Sequence, residues 1–150
     1  MIEDLKKYLI NKDKPNGINN SGWYAGGQLD ALRYYFDEKV KIIAEYMEDN
    51  YQGECSALLF VDNKYFLWRD SFGSCSGCDG LEDENGYEYI EDTMTSVKEF
   101  DKLESVIDYL SSKDRDFLYS DEVSNELKSK IKSTIRTIGC DRKWIRKVRN

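Results

Sequence analysis

The sequence contains no histidine among its 150 residues and one proline, Pro15. Without an imidazole, the chain cannot form Ser-His-Asp or Cys-His nucleophile pairs, HExxH or HxE metal sites, or Cys2His2 zinc fingers. Neither a GxxxxGK[ST] run nor a GxGxxG run occurs, so no dedicated phosphate-binding loop is predicted. Paired carboxylates, activated cysteines, lysines and oxygen-ligand metal sites are the chemistry that remains.

Long apolar runs are also missing. The first residues, MIEDLKKYLINK, carry acids where a signal peptide would carry bases, and no apolar stretch reaches the roughly 18 residues of a membrane span. We therefore expect a cytoplasmic protein, in the host cytoplasm if it is viral, with no membrane partner. Its four cysteines are then expected to be reduced thiols or metal ligands rather than disulfides.

The content of apolar residues predicts a folded chain. Hydrophobic residues make up 40% of the sequence and aromatic residues 13%, which is too rich in core formers for a disordered protein. The length suits one domain over residues 1–150 with a basic C-terminal segment, 128–150. We predict the α+β class, with a small antiparallel sheet of about three strands packed against amphipathic helices.

The spacing of apolar residues predicts the helices and strands of that fold. A helix is predicted from Gln28 to about Asp49, because apolar residues recur there every three or four positions. Two strands, 55–61 and 64–68, flank Asp62 and Asn63 as a hairpin, and a third is predicted over 93–100. Further helices are expected to begin after Asp101 and at Asp121. The buried face of the last helix would hold Val123, Leu127, Ile131 and Ile135.

A turn rich in glycine, serine and cysteine is the most unusual segment. It runs from Asp70 through Ser71, Phe72, Gly73, Ser74, Cys75, Ser76, Gly77, Cys78 and Asp79 to Gly80. A CxxC pair can hold zinc, and a four-cysteine site would comprise Cys55, Cys75, Cys78 and Cys140. The same cysteines could instead be nucleophiles, or buried apolar groups in a tight structural turn. A thioredoxin-like role is disfavoured because no proline follows the pair.

The segment from Ser71 to Asp79 resembles a family. It is similar to the (S)YGSCSGCD signature of small uncharacterised proteins from phages and their bacterial hosts, with Phe72 in place of the tyrosine. The resemblance covers this segment and the strand before it. It implies an accessory protein of a virus or mobile element, and it carries over no assigned activity and no catalytic residues.

The net charge of −7 is the sum of two parts of the chain that carry opposite charge. Residues 128–150 carry +8, which leaves −15 for residues 1–127. Residues 70–97 contain eight acids and no base. They are Asp70, Asp79, Glu82, Asp83, Glu84, Glu88, Glu91 and Asp92.

Two interpretations of each charged part stay open. The acidic stretch could be a solvated surface, or a face that occupies a basic, nucleic-acid-binding groove on another protein. The basic tail could contact nucleic acid, or pack on the core through Trp144 and neutralise the acids within the molecule.

Trp23 and Tyr24 lie between glycines and offer another candidate binding element. Such aromatics could line a pocket or form a binding hot spot, or Trp23 could simply pack into the core before the following helix.

Three hypotheses of function follow. The leading one is a non-enzymatic phage or mobile-element protein that inhibits or redirects a host protein, such as a nucleic-acid-dependent defence nuclease, through the acidic face. The second is a small cysteine- or carboxylate-dependent enzyme, or a ligand-binding protein, acting on a nucleotide or signalling molecule at the Cys75/Cys78 turn. The third is an interaction module stabilised by zinc, the one cofactor considered.

Overall fold

A computed structural model describes residues 5–13, 27–49, 53–73, 86–113 and 115–138, with side chains described up to residue 135. The strands are β1 (Lys41–Met47), β2 (Gly53–Val61), β3 (Lys64–Phe72) and β4 (Lys98–Phe100). The helices are α1 (Gly27–Tyr35), α2 (Gly86–Thr93), α3 (Leu103–Ser111) and α4 (Asp121–Ile138). The strands form one antiparallel sheet in the order β1-β2-β3-β4, so the α+β class is confirmed, with four strands instead of the predicted three.

The hairpin of β2 and β3 is confirmed and forms the centre of the sheet. Its strands pair without interruption from Gly53 opposite Phe72 to Val61 opposite Lys64. Asp62 and Asn63 connect them with φ angles of 54° and 61°. Two consecutive residues with positive φ suit a type I′ turn, whose twist matches that of the flanking strands. The Asp-Asn pair therefore fixes the register of the hairpin.

Helices cover both faces of the sheet. Ala57, Leu59, Phe66 and Trp68 point to one face, where they pack with residues of α1 and α2. The other face buries Leu58, Tyr65 and Leu67 against α3 and α4. Because both faces are covered, β2 is buried at nearly every position, and its second half, Ala57 to Val61, is apolar without alternation. On α4, Val123, Leu127 and Ile131 are fully buried and Ile135 is partly buried, as the periodicity predicted.

The predicted helix from Gln28 to Asp49 is wrong in its second half. The helix ends at Tyr35, and the backbone then turns. The Asp37 carboxylate accepts a hydrogen bond from the Lys39 N–H at 2.9 Å, a side-chain turn that competes with helix continuation. The strand β1 follows, and its pairing shifts between Ile42 and Ala44, so that Ile43 and Ala44 both pack in the cluster on the α3/α4 face. Because of this bulge, inward-facing and outward-facing side chains do not alternate strictly along β1, and that alternation is the pattern by which a strand is identified.

The predicted third strand over 93–100 is shorter than expected. Thr93 ends α2, a 3-10 turn spans Met94–Ser96, and only Lys98–Phe100 pairs with β3. Met94, the first residue of this turn, is fully buried. The apolar residues of segment 93–100 therefore pack in the core partly from a helical turn and partly from a strand.

Candidate functional site

Many of the predicted site residues lie outside the described residues, and their roles stay predictions. These residues are Trp23, Tyr24, Ser74, Cys75, Ser76, Gly77, Cys78, Asp79, Glu82, Asp83, Glu84 and Cys140. The basic residues after position 138 lie outside them too. The described members of the predicted sites are Cys55, Asp70, Gly73, Glu88, Glu91 and Asp92.

Three segments that sequence analysis singled out join the described fold at one end of the sheet. Met47 pairs with Cys55 and Gly53 pairs with Phe72, so β1 and β3 end where β2 begins. Gln28, at the start of α1, donates a hydrogen bond from Nε2 to the Ser71 carbonyl at 3.4 Å. The Trp23 segment therefore leads into the same end of the sheet from which the cysteine turn departs. The acidic segment after that turn leads into α2.

Residues of α2 connect this end to β3. The Tyr89 hydroxyl donates a hydrogen bond to the Asp70 carboxylate, and Trp68 Nε1 donates to Thr93 Oγ1 at 2.8 Å. Glu88 and Asp92, four positions apart, are both exposed on the outer side of α2. Glu91 is half-buried and accepts a hydrogen bond from the Tyr87 hydroxyl at 3.1 Å. Of the predicted acids on α2, Glu88 and Asp92 are thus the best placed to meet a partner.

A buried carboxylate, Glu54, organises the α4 side of the same end. It accepts hydrogen bonds from Arg69 Nε at 2.9 Å, from the Tyr119 N–H at 3.2 Å and from the Ser120 N–H at 3.1 Å. Ser120 in turn caps α4, because its Oγ accepts a hydrogen bond from the Val123 N–H at 3.3 Å. Glu54 therefore fixes the position at which α4 begins against β2.

The N-termini of α2 and α4 add further acids at this end. Glu88 lies in the first turn of α2, and Asp121 and Glu122 lie in the first turn of α4. The positive end of a helix dipole stabilises carboxylates at such positions. We call the following set the acidic end: Glu48, Asp49, Asp70, Glu88, Asp121 and Glu122. Of the bases nearby within the described ranges, Arg69 pairs with Glu54 and Arg115 with Asp121.

Tyr119 projects from the acidic end. It is 74% exposed, and within the described residues only Tyr119 and Ile10 are large hydrophobic side chains in that class. Its backbone N–H is held by Glu54, and the Arg69 guanidinium lies over its ring, 5.0 Å from the centroid. An aromatic side chain with a fixed backbone loses little entropy on binding, which is typical of a hot-spot residue.

Sequence analysis did not identify Glu48, Asp49, Glu54, Tyr119, Asp121 or Glu122 as site residues. Glu54 precedes the predicted strand 55–61 by one position, so no local signal indicated that its carboxylate is buried and requires a partner. That partner could not be named, because the two backbone groups that bind Glu54 lie 65 and 66 positions away along the chain.

Cys55 is buried beside Asp70 and has the properties of a structural thiol. It is fully buried, and its Sγ donates a hydrogen bond to the Asp70 carbonyl at 3.6 Å. Burial raises the pKa of the thiol well above its ordinary value, and the Asp70 carboxylate contributes to this rise. Metal ligation requires a thiolate, which this environment disfavours. Across the described part of the chain, no three His, Cys, Asp or Glu residues are grouped so as to hold a metal ion.

No protein-family model, curated protein or solved structure matches this chain. None of the helices in the described ranges combines the length and the apolar character that crossing a membrane requires.

Proposed function

We propose that this chain is a non-catalytic binding protein that engages a basic surface of a partner protein through its acidic end. The observation that carries the proposal is that acids after β1, on β3 and in the first turns of α2 and α4 lie at one end of the sheet, where Tyr119 is exposed on the α4 side. The predicted acids Glu88, Glu91 and Asp92 lie on α2, the helix whose first turn is at this end.

Electrostatic attraction would bring the partner to this end. Glu88 on α2 and Asp121 and Glu122 on α4 are exposed carboxylates of the acidic end on two separate elements. Several carboxylates on a rigid frame produce a local negative potential that raises the association rate and is weakened by salt.

Tyr119 would supply the specific contact. Exposed carboxylates at the rim of an interface contribute mainly to the association rate, whereas a central aromatic anchor contributes to the lifetime of the complex. The ring of Tyr119 is presented next to the first turn of α4, and Glu54 holds its backbone in place. The combination of a charged rim and one rigid aromatic residue supports a protein-binding role.

The origin of the chain in a phage or a related element is part of the proposal and depends on the resemblance of residues 71–79. A small viral protein that imitates the charge of nucleic acid would inhibit or redirect a host nuclease by competing for its groove. The missing histidine is consistent with a protein that binds rather than catalyses, because it removes the commonest general base.

The test compares two triple variants with the same change in charge. Asp49→Lys, Glu88→Lys and Glu122→Lys together reverse exposed acids at the acidic end. The control combines Glu38→Lys, Glu104→Lys and Asp108→Lys, which reverse exposed acids elsewhere on the molecule. Partners are isolated from bacterial lysate on immobilised protein at low and high salt and identified by mass spectrometry. Their affinities are then measured with purified components.

We expect the acidic-end variant to bind the purified partner at least about tenfold more weakly, equivalent to about 1.4 kcal/mol, while the control changes affinity much less. Tyr119→Ala should slow association little and speed dissociation. Equal affinities for the two triple variants would refute the proposal, as would a partner whose binding does not depend on salt.

A further inference from the structure

One face of the Tyr119 ring is occupied by the Arg69 guanidinium, which lies 5.0 Å from the ring centroid. Within the described ranges, no further cation and no other aromatic ring contacts this ring. The side chain is 74% exposed, so most of its remaining surface faces water. The segment before α4 therefore presents one flat aromatic face to a partner.

The charge of Arg69 on the occupied face is balanced by Glu54. The Glu54 carboxylate lies 2.9 Å from Arg69 Nε, and its side chain is 6% exposed. A guanidinium in an ion pair repels a second cation across the ring far less than an isolated guanidinium would. The faces of an aromatic ring carry the negative part of its quadrupole and attract cations. The open face of Tyr119 is therefore suited to a cationic group.

The charges next to Tyr119 leave one negative charge to balance. Three ion pairs lie there, which are Arg69 with Glu54, Arg115 with Asp121, and Lys98 with Asp116. Glu122, three positions after Tyr119, is exposed and forms no ion pair within the described residues. Its carboxylate accepts a hydrogen bond from the Tyr46 hydroxyl at 3.3 Å. The remaining charge is thus that of one carboxylate, which matches a single cationic group.

We propose that the open face of Tyr119 receives the guanidinium of one arginine of the partner protein, so that the acidic end selects arginine over lysine. This inference rests on the proposed function, because it names the group that the partner brings to the acidic end. A guanidinium is planar, stacks on an aromatic face and is more weakly hydrated than the ammonium of lysine. Arginine and tyrosine are also enriched among the residues that dominate binding energy, whereas lysine is depleted from interfaces.

The test uses fluorescence anisotropy with two labelled peptides of equal length and equal charge, one containing arginine and the other lysine at the same positions. The protein variants are Tyr119→Leu, which removes the aromatic face, and Tyr119→Phe, which keeps it. The matched control is Tyr34→Leu, because the Tyr34 ring also lies beneath a cation, Lys12 at 3.9 Å, but is not part of the acidic end. Circular dichroism confirms that each variant is folded.

We expect the unmodified protein to bind the arginine peptide at least about threefold more tightly than the lysine peptide. Tyr119→Leu should reduce this ratio to about one, whereas Tyr119→Phe and the Tyr34→Leu control should keep it. The inference is overturned if the unmodified protein does not distinguish the peptides, if Tyr119→Leu keeps the preference, or if neither peptide binds.

A further variant separates this inference from the proposed function. Asp49→Lys combined with Glu88→Lys reverses two exposed acids of the acidic end and leaves Tyr119 and Glu122 unchanged. If this variant binds both peptides more weakly while Tyr119→Leu keeps the preference for arginine, the arginine site is refuted and the proposed function stands. If it binds both peptides as tightly as the unmodified protein while Tyr119→Leu abolishes the preference, the arginine site stands and the electrostatic role of the acidic end is refuted.

Discussion

Replacing Glu54 by glutamine should destabilise the protein far more than a single surface carboxylate would. Glutamine keeps one acceptor oxygen for three donors, which are Arg69 Nε and the backbone N–H groups of Tyr119 and Ser120. Its amide NH2 group is itself a donor, so it would face donors where the carboxylate oxygen accepted their hydrogen bonds. Breaking a buried ion pair by removing one partner costs about 3 to 5 kcal/mol. Because the Arg69 side chain is 23% exposed and can reach water, we expect about 3 kcal/mol.

The assay is thermal and urea unfolding followed by circular dichroism. For a protein of this size, about 3 kcal/mol corresponds to a lowering of Tm by roughly 6 to 12 °C. The control is Glu45→Gln, which removes the partner of Arg33 at a half-exposed pair and should cost less than about 1 kcal/mol. A double-mutant cycle with Arg69→Gln should give a coupling energy above about 1 kcal/mol. Equal losses of unfolding free energy for Glu54→Gln and Glu45→Gln would refute the reasoning.

Three further predictions concern the turn, the thiol and the buried tyrosines. Asn63→Val should cost about 1 to 2 kcal/mol in urea unfolding, because a β-branched residue must adopt a φ of 61°, whereas Asn63→Gly should be close to neutral. Cys55 should resist iodoacetamide at pH 8 in the native state and react on unfolding in urea, as measured by mass spectrometry; rapid native labelling would contradict its burial. Burial raises the pKa of Tyr35 and of Tyr65 to about 12, so the contribution of these two tyrosines to stability should be constant below pH about 10 and fall between about 10 and 12, as the unfolded state deprotonates first. Replacing both with phenylalanine should reduce this alkaline loss, and an unchanged pH profile would show that other groups cause it.

Local signals were sufficient to predict the hairpin and the last two helices. Asp62 and Asn63 tolerate positive φ, and the flanking apolar runs needed only that turn to define their pairing. The apolar spacing on α4 agrees with its buried face because one side of this helix packs on the sheet and the other meets water. The interactions that determine the hairpin are therefore close in sequence, and those that determine α4 follow a single helical period.

The error at β1 has a different cause. The spacing of Leu29, Leu32, Phe36, Val40, Ile43 and Met47 satisfies a helical period, although it spans a helix, a turn and a bulged strand. Pairing with β2 decides the conformation of residues 41–47, and that contact is not visible in a local window. The bulge at Ile43 then hides the alternation of the strand.

Only the acidic character of the candidate site could be predicted from the sequence. The acids of α2 were identified from composition, whereas Glu48, Asp121 and Tyr119 reach the same end through the pairing of β1 with β2 and through the start of α4. Glu54 illustrates the difficulty, since it is one acid in a strand and its importance depends on donors from β3 and from the segment before α4. Chain topology, rather than residue type, brings these groups together.

The order of the elements along the chain has a consequence for synthesis on the ribosome. The hairpin of β2 and β3 is local in sequence and can form early, but Leu58, Tyr65 and Leu67 are covered by residues as distant as Ile131. At roughly 5 to 20 residues per second, the roughly 60 intervening residues take about 3 to 12 s to translate. During that interval an apolar sheet face has no cover from α4, and the nascent chain presents a surface that chaperones recognise. The yield of native protein should therefore depend on translation speed between β3 and α4.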